Sequence, residues 1–419
     1  MAEVACPLRL ADAGCCSPLG CVEASGKDSF MKSVQFSPDG HHLLSTTESN
    51  EAILCAVSAD AVHANGFYVA KDSSADGDSL KLEKSIRVGE AVHDAKWYPH
   101  MRLDDPSTHC FITTSRDHPI LLWDVATSSV RCSYSGYDHV DELDSAVCLT
   151  FNASGDKIYA GYNRMIRCFD MSCPGRECSE IPTTPSRKSP EGQKGIISAL
   201  AFNPDFSGAY AAGSYAHSLG IYVENSPDCV LLFDRLDCGV TCMRWSPCGR
   251  YLWVGGRNSP NIICWDIRST QTAVGHVERK LTTNQRMTFD LDPWGKVLCT
   301  GDQDGDIHFY DTTSFERINS APSNHSCVNS VMFHPFSALL ATSSGERSFT
   351  VGDDDSDSDG STDGAPAATK RRRVDAGDAV EAGTTAQCER TSALQLWKLN
   401  RNEIQLPSGD ICESVSTEM

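Results

Sequence analysis

Short apolar runs alternate with polar residues along most of this chain, and they recur in a fixed order. A run ends in an aromatic and a turn containing Pro or Gly follows. About twenty residues later a second run ends in an aromatic, often before Asp. The plainest copy leads from Trp245-Ser-Pro-Cys-Gly249 to Trp265-Asp266. Six others open at Phe36, Trp97, Phe151, Phe202, Phe289 and Phe333, so the spacings are 61, 54, 51, 43, 44 and 44 residues. Period-two alternation predicts half-covered β-strands. A repeat of about 40–45 residues predicts four-stranded blades. The expected fold is all-β, a seven-bladed β-propeller.

The offset between the two aromatics is 18 to 21 in four copies: Phe151 to Phe169, Phe202 to Tyr222, Trp245 to Trp265 and Phe289 to Tyr310. From Trp97 to Trp123 it is 26, because a loop holding Asp104, Asp105 and Pro106 intervenes. The seventh copy is split. Phe333 and the run Leu339–Ser343 are followed by an acidic stretch, Asp353–Asp359, and by Lys370-Arg-Arg-Arg373; strand character returns at Ala393–Lys398. Removing about 44 residues restores an offset of 20 to Trp397. The chain therefore divides into an N-terminal segment (1–29), blades (30–348), an insertion (349–391), a last-blade strand (392–400) and a tail (401–419). The insertion has a composition that cannot bury a core and is expected to be disordered. A ring leaves open edges unless it closes. One of the apolar pieces Pro7–Leu10 or Leu19–Val22 is expected to close it against the strand containing Trp397.

Charge narrows the picture. The chain of 419 residues carries a formal charge of −20, and residues 351–392, with ten acidic and five basic side chains, hold only a small part of it. Bulk charge therefore argues against a coat for nucleic acid and leaves room for a local basic patch. Met1–Leu10 lacks a basic start and a long apolar core, so no secretory signal is expected. No apolar stretch is long enough to cross a membrane as a helix. The 20 cysteines then read as reduced thiols, with Cys168, Cys264 and Cys299 packed in strands as small hydrophobes. No Cys-x-x-Cys occurs, and neither Cys15, Cys16 and Cys21 nor Cys238 and Cys242 have partners at zinc spacing. No metal or cofactor is expected.

Loops joining the second and third strands of a blade lie on the same face as loops joining successive blades. Read together, they bring Arg116, Arg164, Arg257, Arg286 and Arg347 to one face, with Lys194, Tyr162 and Tyr215. Guanidinium groups grip phosphates and stack on bases, and tyrosines offer stacking platforms. The competing reading pairs these arginines with Asp117, Asp144 or Glu346 as staples between blades. Enzyme signatures are absent: there is no Gly-x-Ser-x-Gly, phosphate-cradling loop or His-Glu-x-x-His. Asp138, His139 and Asp141 read as a hydrogen-bonded corner. Ser356 and Ser358, inside the acidic run, are candidate phosphorylation sites. Lys370, Arg371, Arg372 and Arg373 form a candidate nuclear-import run.

Several runs are more specific than the repeat. They are Thr282-Thr-Asn-Gln-Arg-Met-Thr-Phe-Asp-Leu-Asp-Pro293, Gly195–Pro204, Gly213-Ser-Tyr-Ala-His-Ser-Leu-Gly-Ile-Tyr222, Tyr137-Asp-His-Val-Asp-Glu-Leu143, Gly161-Tyr-Asn-Arg164 and Ala341–Phe349. In these the chain resembles the telomerase Cajal body protein family, a branch of the WD40 propellers, from about Phe30 to Phe349 and again at Leu394–Trp397. The loop Arg235–Gly239 lacks the Gly-His pair common before WD40 blades, and the Lys370–Arg373 run is particular to this chain. The resemblance implies a non-enzymatic RNA-binding scaffold of the nucleus and Cajal body. It implies recognition of the Cajal body box in small Cajal-body RNAs and telomerase RNA. The implied partners are the dyskerin-containing H/ACA particle, telomerase and, for folding, the cytosolic chaperonin; no small-molecule substrate is implied. The rival reading is a protein-only adaptor that docks peptides in a nuclear complex.

Overall fold

The computed structural model describes residues 15–23, 29–64, 79–186, 189–234, 236–323, 326–346 and 392–400. These residues form seven four-stranded antiparallel sheets and one two-stranded hairpin. Blade 1 is built from Met31–Phe36, His42–Thr47, Glu51–Val57 and Leu80–Arg87, ordered from the centre outward. Blade 2 uses Val92–Trp97, Cys110–Ser115, Ile120–Asp124 and Val130–Tyr134. The inner and second strands are Cys148–Phe151 and Lys157–Tyr162 in blade 3, and Ile197–Phe202 and Ala209–Ser214 in blade 4. They are Val240–Trp245 and Tyr251–Gly256 in blade 5, and Phe289–Leu291 and Val297–Gly301 in blade 6. Blade 7 takes Val328–Phe333, Leu339–Ser344 and Ala393–Leu399, with Cys16–Glu23 outside them. The insertion at 349–391 lies outside the described residues.

Burial follows from position in the blade. Second strands are sandwiched between neighbouring blades, and Cys110–Ser115 and Leu339–Ser344 are buried at every residue. Outer strands meet solvent on one face, so Cys229–Phe233 alternates between covered and exposed residues. A strand covered on both faces reads as a continuous apolar or small-residue run, and a half-covered one as an alternating run.

The opening aromatics fill one register. Phe36, Phe151, Trp245 and Phe333 each pair with the residue seven further on, across the first turn. In blade 6 that place belongs to Leu291, opposite Leu298. Phe289, the residue expected there, lies two positions earlier. Two residues along a strand return to the same face, which is why the aromatic signal slipped. The next residue caps the turn with its side chain. Ser37, Asn152, Ser246 and Asp292 accept from His42, Lys157, Tyr251 and Val297 N–H at 3.0, 3.1, 3.0 and 2.7 Å. Two aromatics also bridge blades: Trp97 donates to Gln35 O and Trp245 to Ala201 O.

The ring closes between blades 7 and 1. Cys16–Glu23, which contains the Leu19–Val22 piece, pairs with Ala393–Leu399 and sets Pro18 opposite Trp397. Met31, Phe36 and Leu43 pack against Leu339, Leu394 and Leu396. Asn329 Nδ2 donates to Met31 O across the seam and to Gly345 O. On the opposite face His334 Nε2 donates to Gly40 O at 3.0 Å, while its Nδ1 accepts from Phe336 N–H. A Cβ on Gly40, whose φ is +77°, would fall 2.4 Å from that Nε2, so the contact needs glycine.

His334 must be neutral to accept that bond, and burial pushes its pKa down from 6.5 to about 4. The unfolded chain then binds the extra proton between those values, so this contribution is complete above pH 6.5 and is lost as pH falls to 4. Asp292, pushed up to about 6 by burial, acts with the opposite sign over about pH 4–6. The informative comparison is therefore with His334→Gln. Urea unfolding should show the wild-type advantage over that variant shrinking by on the order of 3 kcal/mol from pH 7 to pH 4. A pH-independent gap would refute the role given to the neutral ring.

Candidate functional site

The loops between successive blades and those between second and third strands emerge at one end of the ring. A central cavity of about 700 Å³ opens there among Phe30, Tyr215, Asn284, Gln285 and Arg286. Glu346 and Ser392, the residues flanking the insertion, belong to the same end. Ser392 Oγ donates to Ser344 O and accepts from Met31 N–H.

Two of the expected residues, Tyr215 and Arg286, line the cavity, and Arg257 and Lys194 belong to loops beside Tyr215. Tyr215 lines the cavity, and the Arg257 guanidinium lies 6.0 Å from its ring centroid. Gly239 packs on the Tyr215 backbone and accepts from Arg257 N–H at 2.8 Å; this backbone bond extends the ladder between the first two strands of blade 5. Lys194 is exposed, and its carbonyl accepts from Ser214 Oγ next to Tyr215. Arg286 turns inward from its loop. Its Nε donates to Thr241 O at 3.0 Å and Nη1 to His93 O at 3.4 Å, and Nη1 lies 3.8 Å from Asp94. Despite burial, the Asp94 carboxylate keeps its pKa above the ordinary arginine value.

The other expected residues are placed differently. Arg116 is exposed on blade 2, and Arg164 is half-buried on blade 3 at a φ of +58°. Tyr162 is not a surface platform. Its ring is 1% exposed, covered by the Arg167 guanidinium at 4.4 Å and by the hairpin residue Gly136. Arg167, rather than a loop arginine, takes Asp144 (3.0 Å), with Glu180 and Tyr137 O completing its fork. The corner at 138–141 is a turn in which Asp138 caps Val140 and Glu142 N–H and Asp141 pairs with Arg176. Gln193 faces the core and bonds Ala212 O and Tyr222 OH. Arg347, Ser356, Ser358, Lys370, Arg371, Arg372 and Arg373 lie outside the described residues.

Deeper in the cavity are charges that the loops did not announce. Lys96 and Arg244 occupy the same place, one residue before the opening Trp of blades 2 and 5, and Asp290 has it in blade 6. Asp94 Oδ1 lies 3.7 Å from Lys96 Nζ, and its Oδ2 accepts from Leu149 N–H in blade 3. Asp290 accepts from Arg244 Nε at 3.0 Å and from Phe333 N–H of blade 7 at 2.9 Å. Burial pushes Lys96 down and Asp290 up from their ordinary values. Arg279, also buried, supports the loop that carries Arg286 by donating to Met287 O and Thr300 Oγ1. Among the described residues no carboxylate pairs with it, and burial lowers its pKa to about 10. Asp302, Asp306 and His308 bring ligand atoms within 4.8 Å of one another. Asp302 already accepts from Asp304 N–H, Asp306 N–H and His308 Nε2, so the group shapes a turn.

The likeness to known proteins agrees with this architecture. Telomerase Cajal body protein 1 of Bos taurus is 33% identical over 333 residues, 77% of this chain. Its Drosophila melanogaster homolog is 31% identical over 327 residues, again 77% of the chain. The chain belongs to the telomerase Cajal body protein family. It spans 59% and 58% of the lengths of those two members. Guanine nucleotide-binding protein negative regulator 1 of Schizosaccharomyces pombe is also similar, 31% identical over 321 residues, 74% of this chain and 78% of that protein. No family model matches the chain.

Asp94 links two blades and balances two cations, so its loss should be costly. Asp94→Ala should destabilise the fold by about 3–5 kcal/mol, the usual range when one partner of a buried pair is removed. Arg116→Ala, at an exposed site, should stay within about 0.5 kcal/mol of wild type. Chemical denaturation of the two variants checks both.

Proposed function

We propose that the loop face binds unpaired RNA and that the protein is a non-enzymatic scaffold for nuclear RNA–protein particles. The observation that carries this is a cavity wall holding Tyr215 and Arg286, with Arg257 6.0 Å from the Tyr215 ring and Lys194 exposed on the neighbouring loop, in a chain of charge −20. Cations next to a half-buried ring at a cavity wall suit single-stranded RNA, in which phosphates are gripped and a base is stacked. Arg116 and Arg164 extend this reading outward to other blades, and Arg347, outside the described residues, joins it from the sequence alone. Membership of the family supports particular targets: telomerase RNA and small Cajal-body RNAs carrying the Cajal body box. In this reading the protein works in the nucleus and Cajal body, with telomerase and the dyskerin-containing H/ACA particle as partners and the cytosolic chaperonin as folding aid. Lys370–Arg373 would serve nuclear import, and Ser356 and Ser358 would take phosphate.

A protein-docking adaptor is the second reading. It is favoured by the S. pombe relative, whose name is that of a regulator of a guanine nucleotide-binding protein. The two readings differ in their response to salt. Each phosphate contact on single-stranded RNA contributes about 0.7 to the slope of log affinity against log salt. The combined variant Lys194→Ala, Tyr215→Ala, Arg257→Ala should lose crosslinking to small nuclear RNAs in cells while keeping its circular dichroism and unfolding midpoint. In vitro its salt slope should fall by about 1.4, and loss of the stacked ring should cost a further 1–3 kcal/mol or so. Undiminished crosslinking in a folded variant would favour the adaptor.

A further inference from the structure

We propose that the floor of the central cavity is a binding site for a phosphate monoester group. Three cations converge there from separate blades and loops: Lys96 from blade 2, Arg244 from blade 5 and Arg286 from the loop before blade 6. Two carboxylates face them, Asp94 and Asp290, which leaves one net positive charge inside a strongly acidic protein. Lys32 and Glu48, higher in the cavity, cancel each other at 3.3 Å.

Each carboxylate oxygen already accepts a hydrogen bond. Asp94 takes Ala95 N–H on one oxygen and Leu149 N–H on the other. Asp290 takes Arg244 Nε on one and Phe333 N–H on the other. The donors are not used up. Among the described residues Lys96 Nζ makes no hydrogen bond and has only Asp94 Oδ1 at 3.7 Å. Arg244 commits Nε to Asp290, and no hydrogen bond from its terminal nitrogens is formed among the described residues. A floor with spare donors beside carboxylates that are already hydrogen-bonded favours a ligand that only accepts. A phosphate monoester fits, since it carries about −1.5 to −2 charge near neutral pH and three strong acceptor oxygens. Guanidinium forks match phosphate geometry and an ammonium supplies a point charge. The mutual repulsion of Lys96, Arg244 and Arg286, which adds to burial in pushing Lys96 down, would be relieved by such an anion.

Depth restricts the ligand further. Lys96 and Arg244 stand on inner strands below the loops, and Lys96 Nζ and Arg286 Nη1 approach the same Asp94 oxygen at 3.7 and 3.8 Å. The cavity opens on the loop face, so the phosphate must be a projecting end rather than an internal link of a chain passing over the mouth. Such an end belongs to a small phosphorylated molecule or to the terminal phosphate of an RNA.

The test uses the purified full-length chain and inorganic phosphate, followed by 31P NMR line broadening at ionic strength fixed with sodium chloride. Saturable broadening is expected in the wild type, with affinity at least tenfold weaker in Lys96→Met and retained in Lys96→Arg. Arg102→Ala, on the opposite face, should behave as wild type. Acetate at equal ionic strength should not displace the phosphate. Absence of saturable broadening, undiminished binding in Lys96→Met, or displacement by acetate would each overturn the site. The acetate arm needs no variant to fold. Competition by a short unstructured RNA with a 5′-phosphate, and not by its 5′-hydroxyl twin, assigns the site to an RNA end. Equal failure of both to compete assigns it to a small phosphorylated molecule. The site does not rest on the RNA reading, because loss of RNA crosslinking and loss of phosphate binding are separate measurements on separate residues.

Discussion

Everything in this molecule hangs on the closing of the ring by Cys16–Glu23 against Ala393–Leu399. A propeller is a row of sheets bent into a circle, and an unclosed row exposes two edges. Here the seam is held by three kinds of contact: a backbone ladder, an apolar cluster shared by Met31, Phe36, Leu339 and Leu394, and the polar reach of Asn329 and His334. Lys96, Asp94, Arg244, Asp290 and Arg286 come from parts of the chain far apart in sequence. They share a cavity because the circle is complete, and an opened ring would return those charges to water.

Burying so much charge has a structural cost, which the blades offset by giving each carboxylate two tasks. Asp94 accepts a backbone N–H from blade 3 while facing two cations, and Asp290 accepts one from blade 7 while facing Arg244. Such pairs rarely add stability over apolar packing, but they penalise the wrong arrangement heavily. Their effect is to set the spacing of neighbouring blades and to hold positive charge at the centre. Arg279 extends that field beneath the loop of Asn284–Arg286 with no carboxylate paired to it among the described residues. An acidic exterior repels polyanions in general, and positive charge held in a cavity lowers that repulsion at one place.

Much of the candidate site was legible, and the misses have specific causes. Lys194, Tyr215 and Arg257 follow strands whose period was clear, so their loops could be assigned to a face. Tyr162 lies at the end of an equally clear strand. Its fate depended on Arg167 in the next strand and on the hairpin at Gly136, both of which fold over it. Arg286 was placed on the correct loop, but its direction came from Thr241 O and His93 O, carbonyls that belong to other blades. Lys96 and Arg244 did carry a signal, each standing just before the Trp that opens its copy. That signal has meaning only once the copies are superposed around an axis.

The chain by itself determined the number of blades, the turns between strands and the place of the insertion. These depend on alternation, turn chemistry and spacing, which act over a few residues. Blade 6 marks the limit of that local code. Phe289 and Leu291 lie on one face of one strand, and only pairing across the turn decides which fills the shared register. The tertiary structure alone decided which loop residues adjoin and which side chains turn inward. It also decided how many cations meet at the centre. Those are outcomes of closure, in which residues hundreds of positions apart become neighbours through a circle that no short stretch of sequence encodes.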